Sequence, residues 1–325
     1  MTRKSPKDRK TSRANPSQQA RHSKGNSRKQ SFTIGDPTDV VPGRWLLKAI
    51  LITVGGAAIC AYLAICTFFY FGQWQLAFQP PKPLQNAALP TNAGMTIEDI
   101  HFDYTETGKA QLDGWWIPAD AGAQYAHAVV LVCHSGNTSL TENLPLLESL
   151  HALGVGVFAF DYRGFGHSMA MHPSEQSSYA DGMAAASYLT GTRHADAHGI
   201  VVYGDGIGAA VAVHIAQQAP GEFGAIAGVV LRDALPSLLP ELEAEPRVNF
   251  LPVRLLFHDR FDILSALQNL HTPKLFLLDD DGSAAQAASA LYQQAVQPKQ
   301  LARLGVAGGP ETSQAIGDFL QQVLR

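Results

Sequence analysis

An apolar run, Ile200-Val201-Val202-Tyr203, passes through Gly204-Asp205-Gly206-Ile207-Gly208 into a run of small residues beginning Ala209-Ala210. Glycine at alternate positions suits a tight, strained turn in which bulkier flanking side chains would clash. The pattern therefore predicts a strand, a sharp turn and a helix, with Gly206 at the apex. A chain built of such units folds as a parallel sheet covered by helices.

The same alternation runs along the rest of the chain. Met95–Tyr104 and Gln111–Ile117 read as a β-hairpin, rich in β-branched and aromatic residues. Strands are expected at Ala128–Cys133, Gly156–Phe160, Ile200–Tyr203, Ile226–Leu231, Lys274–Leu278 and Gln300–Gly305. Helices are expected at Glu142–Leu153, Tyr179–Leu189, Ile207–Gln217, Ala284–Ala295 and Ser313–Leu324. The implied class is α/β, with a mostly parallel central sheet and helices on both faces. Residues of about 234–272 break the alternation. They are rich in Pro, Leu and Arg, and suit a cap over the strand ends. No internal repeat is visible.

Ahead of this domain the chain changes character twice. Residues 1–43 are rich in Lys, Arg, Ser, Gln and Asn and have too few apolar side chains to bury a core. Residues 49–71 then form an uncharged apolar run, expected as an uncleaved signal anchor within residues 44–74. Trp45 at one end, and Tyr70 and Trp74 at the other, suit interfacial anchoring. Residues 1–48 carry 12 Lys/Arg against 3 Asp/Glu, so they hold a net +9, and the remaining residues hold −13. The basic flank predicts a cytoplasmic N-terminus and a domain, residues 75–325, on the far side of the membrane. The acidic domain disfavours nucleic acid as a partner. Thr53, Ala57 and Ala61 form a small-residue ridge suited to self-association of the span. Cys133 is the only cysteine outside the span and reads as a small core residue.

Short motifs carry a resemblance. Leu76-Ala77-Phe78-Gln79-Pro80 follows the anchor, and Cys133-His134-Ser135-Gly136-Asn137 follows the first long central strand. Asp161-Tyr162-Arg163-Gly164-Phe165-Gly166-His167-Ser168 fits a D-Y-R-G-x-G-x-S motif. Asp259-Arg260-Phe261-Asp262 falls in the cap, and Pro273-Lys274-Leu275-Phe276 opens a late strand. In this order around the glycine turn, they make the chain similar to the α/β-hydrolase superfamily. Within it, the chain resembles membrane-anchored serine hydrolases of the bent-shoot yeast-protein type and the related α/β-hydrolase domain-containing lipases. The likeness runs from Phe71 to Arg325.

The resemblance implies a Ser–His–Asp triad, and this chain departs from it. The turn corresponds to the G-x-S-x-G nucleophile elbow, with Gly206 where the serine belongs. The base is expected near position 309, and Gly309 stands there; the last histidine in the chain is His271. The acid position falls in Asp279-Asp280-Asp281-Gly282, with Asp281 the first candidate and Asp280 the second. An alternative register makes Asp205 the nucleophile, but it places Tyr203 and Ile207 where the elbow needs small residues. Backbone N–H groups of Ile207 and of Gly136 or Asn137 would form the oxyanion hole, which outlasts the loss of side chains. His134 and Ser168 fit structural roles, as do Asp161 and Arg163. Ser135 is a loop hydroxyl for which no base is expected. His134, Asp205 and Asp281 could meet at strand ends, but no ligand spacing supports a metal site, and no cofactor is expected. These residues lead to a membrane-tethered pseudohydrolase that binds an acyl or lipid-like ligand or scaffolds a partner. The alternative is an active hydrolase of acyl or lipid-like esters using Asp205 or an activated water.

Overall fold

The computed structural model describes residues 42–81, 95–103, 111–279, 283–304 and 310–325. The chain divides into two compact units, residues 1–58 and 59–325. In the first, the described part is the start of helix α1 (Gly43–Gly72), whose length and apolar composition suffice to cross a membrane. Its side chains there are almost all exposed, and an apolar surface without a polar stripe is what a membrane span presents to lipid.

The second unit contains the end of α1, a one-turn helix α2 (Trp74–Ala77) and the hairpin strands β1 (Glu98–Asp103) and β2 (Gln111–Ile117). Then follow β3 (Val129–Cys133), α3 (Leu144–His151), β4 (Gly156–Asp161), α4 (Glu175–Gly191), β5 (Ile200–Asp205), α5 (Ile207–Glu222) and β6 (Gly228–Arg232). Three short helices follow within residues 234–272, the segment expected as a cap: α6 (Leu239–Ala244), α7 (Val253–Leu256) and α8 (Leu264–Leu267). The chain closes with β7 (Lys274–Asp279), α9 (Ser283–Gln294), β8 (Lys299–Leu304) and α10 (Pro310–Val323).

The strands form one sheet in the order β1-β2-β4-β3-β5-β6-β7-β8. β1 and β2 pair antiparallel, and β2 meets β4 antiparallel; β4 through β8 run parallel. The central strands β3 and β4 are buried at every position, which matches their uninterrupted apolar sequences. One core lies between the sheet and α4, α5 and α9, around Leu131, Phe158, Val202 and Ile215. The other lies against α3 and α10, around Val130, Val157, Val201 and Phe319. The helices therefore cover both faces, as the alternation required.

Several helix bounds shift by a turn. The α4 helix starts at Glu175 because Ser174 caps it, accepting from Ser177 N–H while Ser177 Oγ accepts from Ser174 N–H. Its first turns are Ser-, Gly- and Ala-rich and present no apolar stripe, so the sequence places the start later, at Tyr179. The α3 helix begins at Leu144, since Ser139 to Asn143 form a turn held by Asn143 Nδ2 donating to Ser139 O.

Candidate active site

The elbow is built by the last residue of β5, Asp205, and the first of α5, Ile207, with Gly206 between them. Gly206 has φ +56° and ψ −117°, a strained conformation that an L side chain rarely adopts. The flanking glycines are fixed by packing. A Cβ on Gly204 would overlap the backbone of Gly208 and Ala209, and one on Gly208 would overlap the carbonyls of Cys133 and His134. A Cβ on Gly206 would meet only Ser135 Cβ, at 3.4 Å. The turn thus has the backbone of a nucleophile elbow and space for a side chain at its apex, and it carries none.

The turn borders a cleft of about 250 Å³. Ser135, Gly136, Asn137, Gly206 and Ile207 line it together with the apolar Leu76, Ala77, Leu235, Leu238 and Phe261. Gly136 is held close to the segment after α2. Gln79 N–H donates to its carbonyl at 2.6 Å, and Ala77 O lies where a Cβ on Gly136 would sit. The residues named for the oxyanion hole, Gly136, Asn137 and Ile207, therefore line the same cleft as Gly206. Ile207 starts α5, whose first N–H groups have no intrahelical acceptor and give that end positive potential.

Asp205 faces a second cavity, shared with Tyr203, Arg232, Asp233, Thr312 and Ser313. It is the parallel-register neighbour of Arg232, and its Oδ2 lies 3.8 Å from that guanidinium. Arg232 also approaches Asp233, at 3.7 Å. Sequence reading missed this partner. The pairing follows from the β5–β6 register, which brings the last residues of the two strands side by side.

Ser135 Oγ donates to Asn137 Oδ1 at 2.7 Å and lies 3.1 Å from Thr138 Oγ1. Among the described residues no histidine, lysine or carboxylate bonds to it. His134 is 2% exposed and packs against the Tyr162 and Phe165 rings. Its Nδ1 lies 2.7 Å from Ser135 O, and its Nε2 lies 3.4 Å from Asp161 Oδ1, so it braces the loop and offers no proton acceptor to the cleft. Asp161 accepts from Leu140 N–H, and Ser168 Oγ donates to Asp161 O. Arg163 is paired with buried Asp181 at 2.6 Å and donates to Ser177 O. These side chains hold loops in place, the roles that their motif positions implied. Burial pushes the Cys133 thiol far up, so it stays protonated. Asp280, Asp281 and Gly309 lie outside the described residues.

The family model for serine aminopeptidase, S33, matches residues 124–254. The chain is 33% identical over 250 residues to an uncharacterised protein of Mycobacterium tuberculosis (strain CDC 1551 / Oshkosh), spanning 75% of this chain and 83% of that one. It is 26% identical over 194 residues to protein bem46 of Schizosaccharomyces pombe, spanning 57% of this chain and 64% of the relative. Among solved structures, a Pyrococcus furiosus esterase matches with a TM-score of 0.60 at 21% identity, over 76% of this chain and 98% of the esterase. A dienelactone hydrolase from Anabaena variabilis matches with a TM-score of 0.53 at 16% identity, over 72% and 100%.

Proposed function

From the premise that this chain belongs to the α/β-hydrolase family, we propose that it is a membrane-anchored, non-catalytic member that binds an acyl or lipid-like ligand. The observation that carries this is Gly206. The elbow's strained backbone and the cleft beside it are kept, and the nucleophilic side chain is not there. The last histidine of the chain, His271, precedes β7, so the loop after β8 has none to offer as base.

The ligand class follows from the lining of the cleft. The N-terminus of α5 beside Gly206 suits a carboxylate or an ester carbonyl. The apolar lining residues Leu76, Ala77, Leu235, Leu238 and Phe261 suit a hydrocarbon. A volume of about 250 Å³ is below the ~300–1,000 Å³ usual for drug-sized ligands, so it suits a short acyl chain or the end of a longer one. Leu76 and Ala77 lie just beyond the end of α1, so a ligand drawn from the bilayer has a short path to travel.

The test is ester hydrolysis by the full chain in detergent, over a series of acyl chain lengths, beside Asp205→Ala and the double variant Gly206→Ser/Gly309→His. The expected outcome is no turnover above background for the natural chain and measurable turnover for the double variant. Turnover by the natural chain that disappears in Asp205→Ala would overturn the non-catalytic reading.

A further inference from the structure

A second set of polar side chains lies far along the sheet from the elbow, on the β1–β2 edge. Asp99 and His101 are two residues apart on β1 and so share one face. Register places His101 directly opposite Asp113 of β2. The loop after β4 brings in His167, whose Nδ1 lies 3.7 Å from Asp113 Oδ2. His101 Nδ1 lies 2.9 Å from Asp113 Oδ1. One donor atom from each of Asp99, His101 and Asp113 falls within 4.8 Å of the others.

Asp113 makes this more than a group of surface charges. It is 3% exposed, and its Oδ1 is buried with no hydrogen bond. The His101 ring is near that oxygen but not aligned to donate to it. A buried carboxylate oxygen without a donor is destabilising unless something compensates its charge. Its neighbours make the need greater: Asp161 is its register partner on β4, and Asp99 stands on the adjoining strand. The backbone around it is fixed. Asp113 N–H donates to Ser168 Oγ at 2.9 Å, which holds β2 to the loop that carries His167.

We propose that Asp99, His101 and Asp113 form a binding site for a divalent first-row cation, on which the exposed His167 ring closes as a fourth ligand, with zinc the best match to two imidazoles and two carboxylates. Tetrahedral zinc with ligands at about 2.0–2.2 Å sets donor atoms about 3.3 Å apart. His101 Nδ1 approaches Asp113 Oδ1 at 2.9 Å and His167 Nδ1 approaches the other oxygen, Oδ2, at 3.7 Å, so the two rings reach the two oxygens of one carboxylate at distances near that spacing. His101 and His167 are exposed, at 60% and 63%, so a cation can enter from solvent and the rings can close on it. The bound ion would place its charge against the buried Asp113 oxygen and join β1, β2 and the loop after β4. Its role is that of a staple on the outer edge of the sheet, separate from the elbow.

The experiment uses the untagged full chain in detergent, stripped with chelator and titrated with zinc against a chromophoric competitor. Thermal unfolding is followed with and without zinc. The expected result is a single tight equivalent, and a Tm several degrees higher with zinc. His101→Ala, an exposed change that leaves the fold intact, should weaken that equivalent at least tenfold and cancel the Tm rise. Asp113→Asn should do the same. Zinc binding of equal tightness in the natural chain and in His101→Ala would overturn the proposal. So would the absence of any stoichiometric zinc.

Discussion

Gly206 holds a backbone conformation that its own lack of a side chain makes inexpensive. With φ +56°, any Cβ adds strain of about 1–3 kcal/mol, although it meets no atom closer than 3.4 Å. Gly206→Ser and Gly206→Ala should therefore each lower stability by about that amount, read as a urea midpoint. Gly208→Ala should cost more than about 4 kcal/mol, because its Cβ overlaps two backbone carbonyls and the turn cannot yield. Equal costs at the two positions would mean that the turn relaxes. The glycine spacing was legible in the sequence because the packing reason is local. The Asp205–Arg232 pairing was not, because it depends on strand register.

Lys274 is a second residue-scale case. It is fully buried at the start of β7, where its Nζ donates to Val296 O and Pro298 O. Burial, followed by the Lys299 charge, lowers it to about 8 from 10.5. Between these two values the unfolded chain binds a proton that the folded chain does not, so stability rises with pH across that window. Below about pH 8 both states are protonated and the full cost of burying the charge is present, about 3 kcal/mol at most. The urea midpoint should therefore rise between pH 7.5 and pH 10, and the rise should shrink in Lys274→Met. An unchanged rise in that variant would assign it to other groups.

At the scale of elements, the loop after β4 is pinned to α4 by one buried pair. Arg163 Nε meets Asp181 at 2.6 Å, Arg163 N–H donates to the other carboxylate oxygen, and Ser177 O takes an Nη2 proton. Removing one partner leaves the other charge buried, so Arg163→Ala should cost about 3–5 kcal/mol, measured by denaturant unfolding. A cost below about 1 kcal/mol would mean that water replaces the guanidinium. The motif Asp161–Ser168 named these residues in advance, but their partner on α4 could not be named. Asp181 lies in a Ser-, Gly- and Ala-rich run with no clear periodicity. The strands were readable throughout, since β3 to β7 are short apolar runs between turn residues. Cap helices α6, α7 and α8 span only 4–6 residues each and carry no period to detect.

For the whole molecule, the end of α1 sets where the bilayer would begin if α1 is the proposed anchor. Cys66 is buried with Leu242, Leu251, Val253 and Phe257 of the cap, and Phe69 packs on the same cluster. Tyr62 Oη donates to Phe250 O at 3.2 Å. Residues 62–69 therefore have a face that protein covers. A hydrocarbon core of about 30 Å needs about 20 residues, and the 30 residues of α1 supply them while leaving about the last three turns to the cap. The uncharged run 49–71 did not reveal this, because a protein-covered apolar face and a lipid-covered one have the same composition. Next to this contact, Leu255 is 81% exposed and Phe250 is 55% exposed. Large apolar side chains beside a membrane span gain by entering the interface, at about 25 cal/mol per Å² removed from water. A spin label at Leu255→Cys, in a Cys60→Ala background and in vesicles, should collide with oxygen more than with a water-soluble nickel chelate. A label at Glu222→Cys, exposed at the end of α5, serves as the control and should show the reverse. Matching profiles at the two sites would place the cap in water and leave the cleft without a lipid-facing approach.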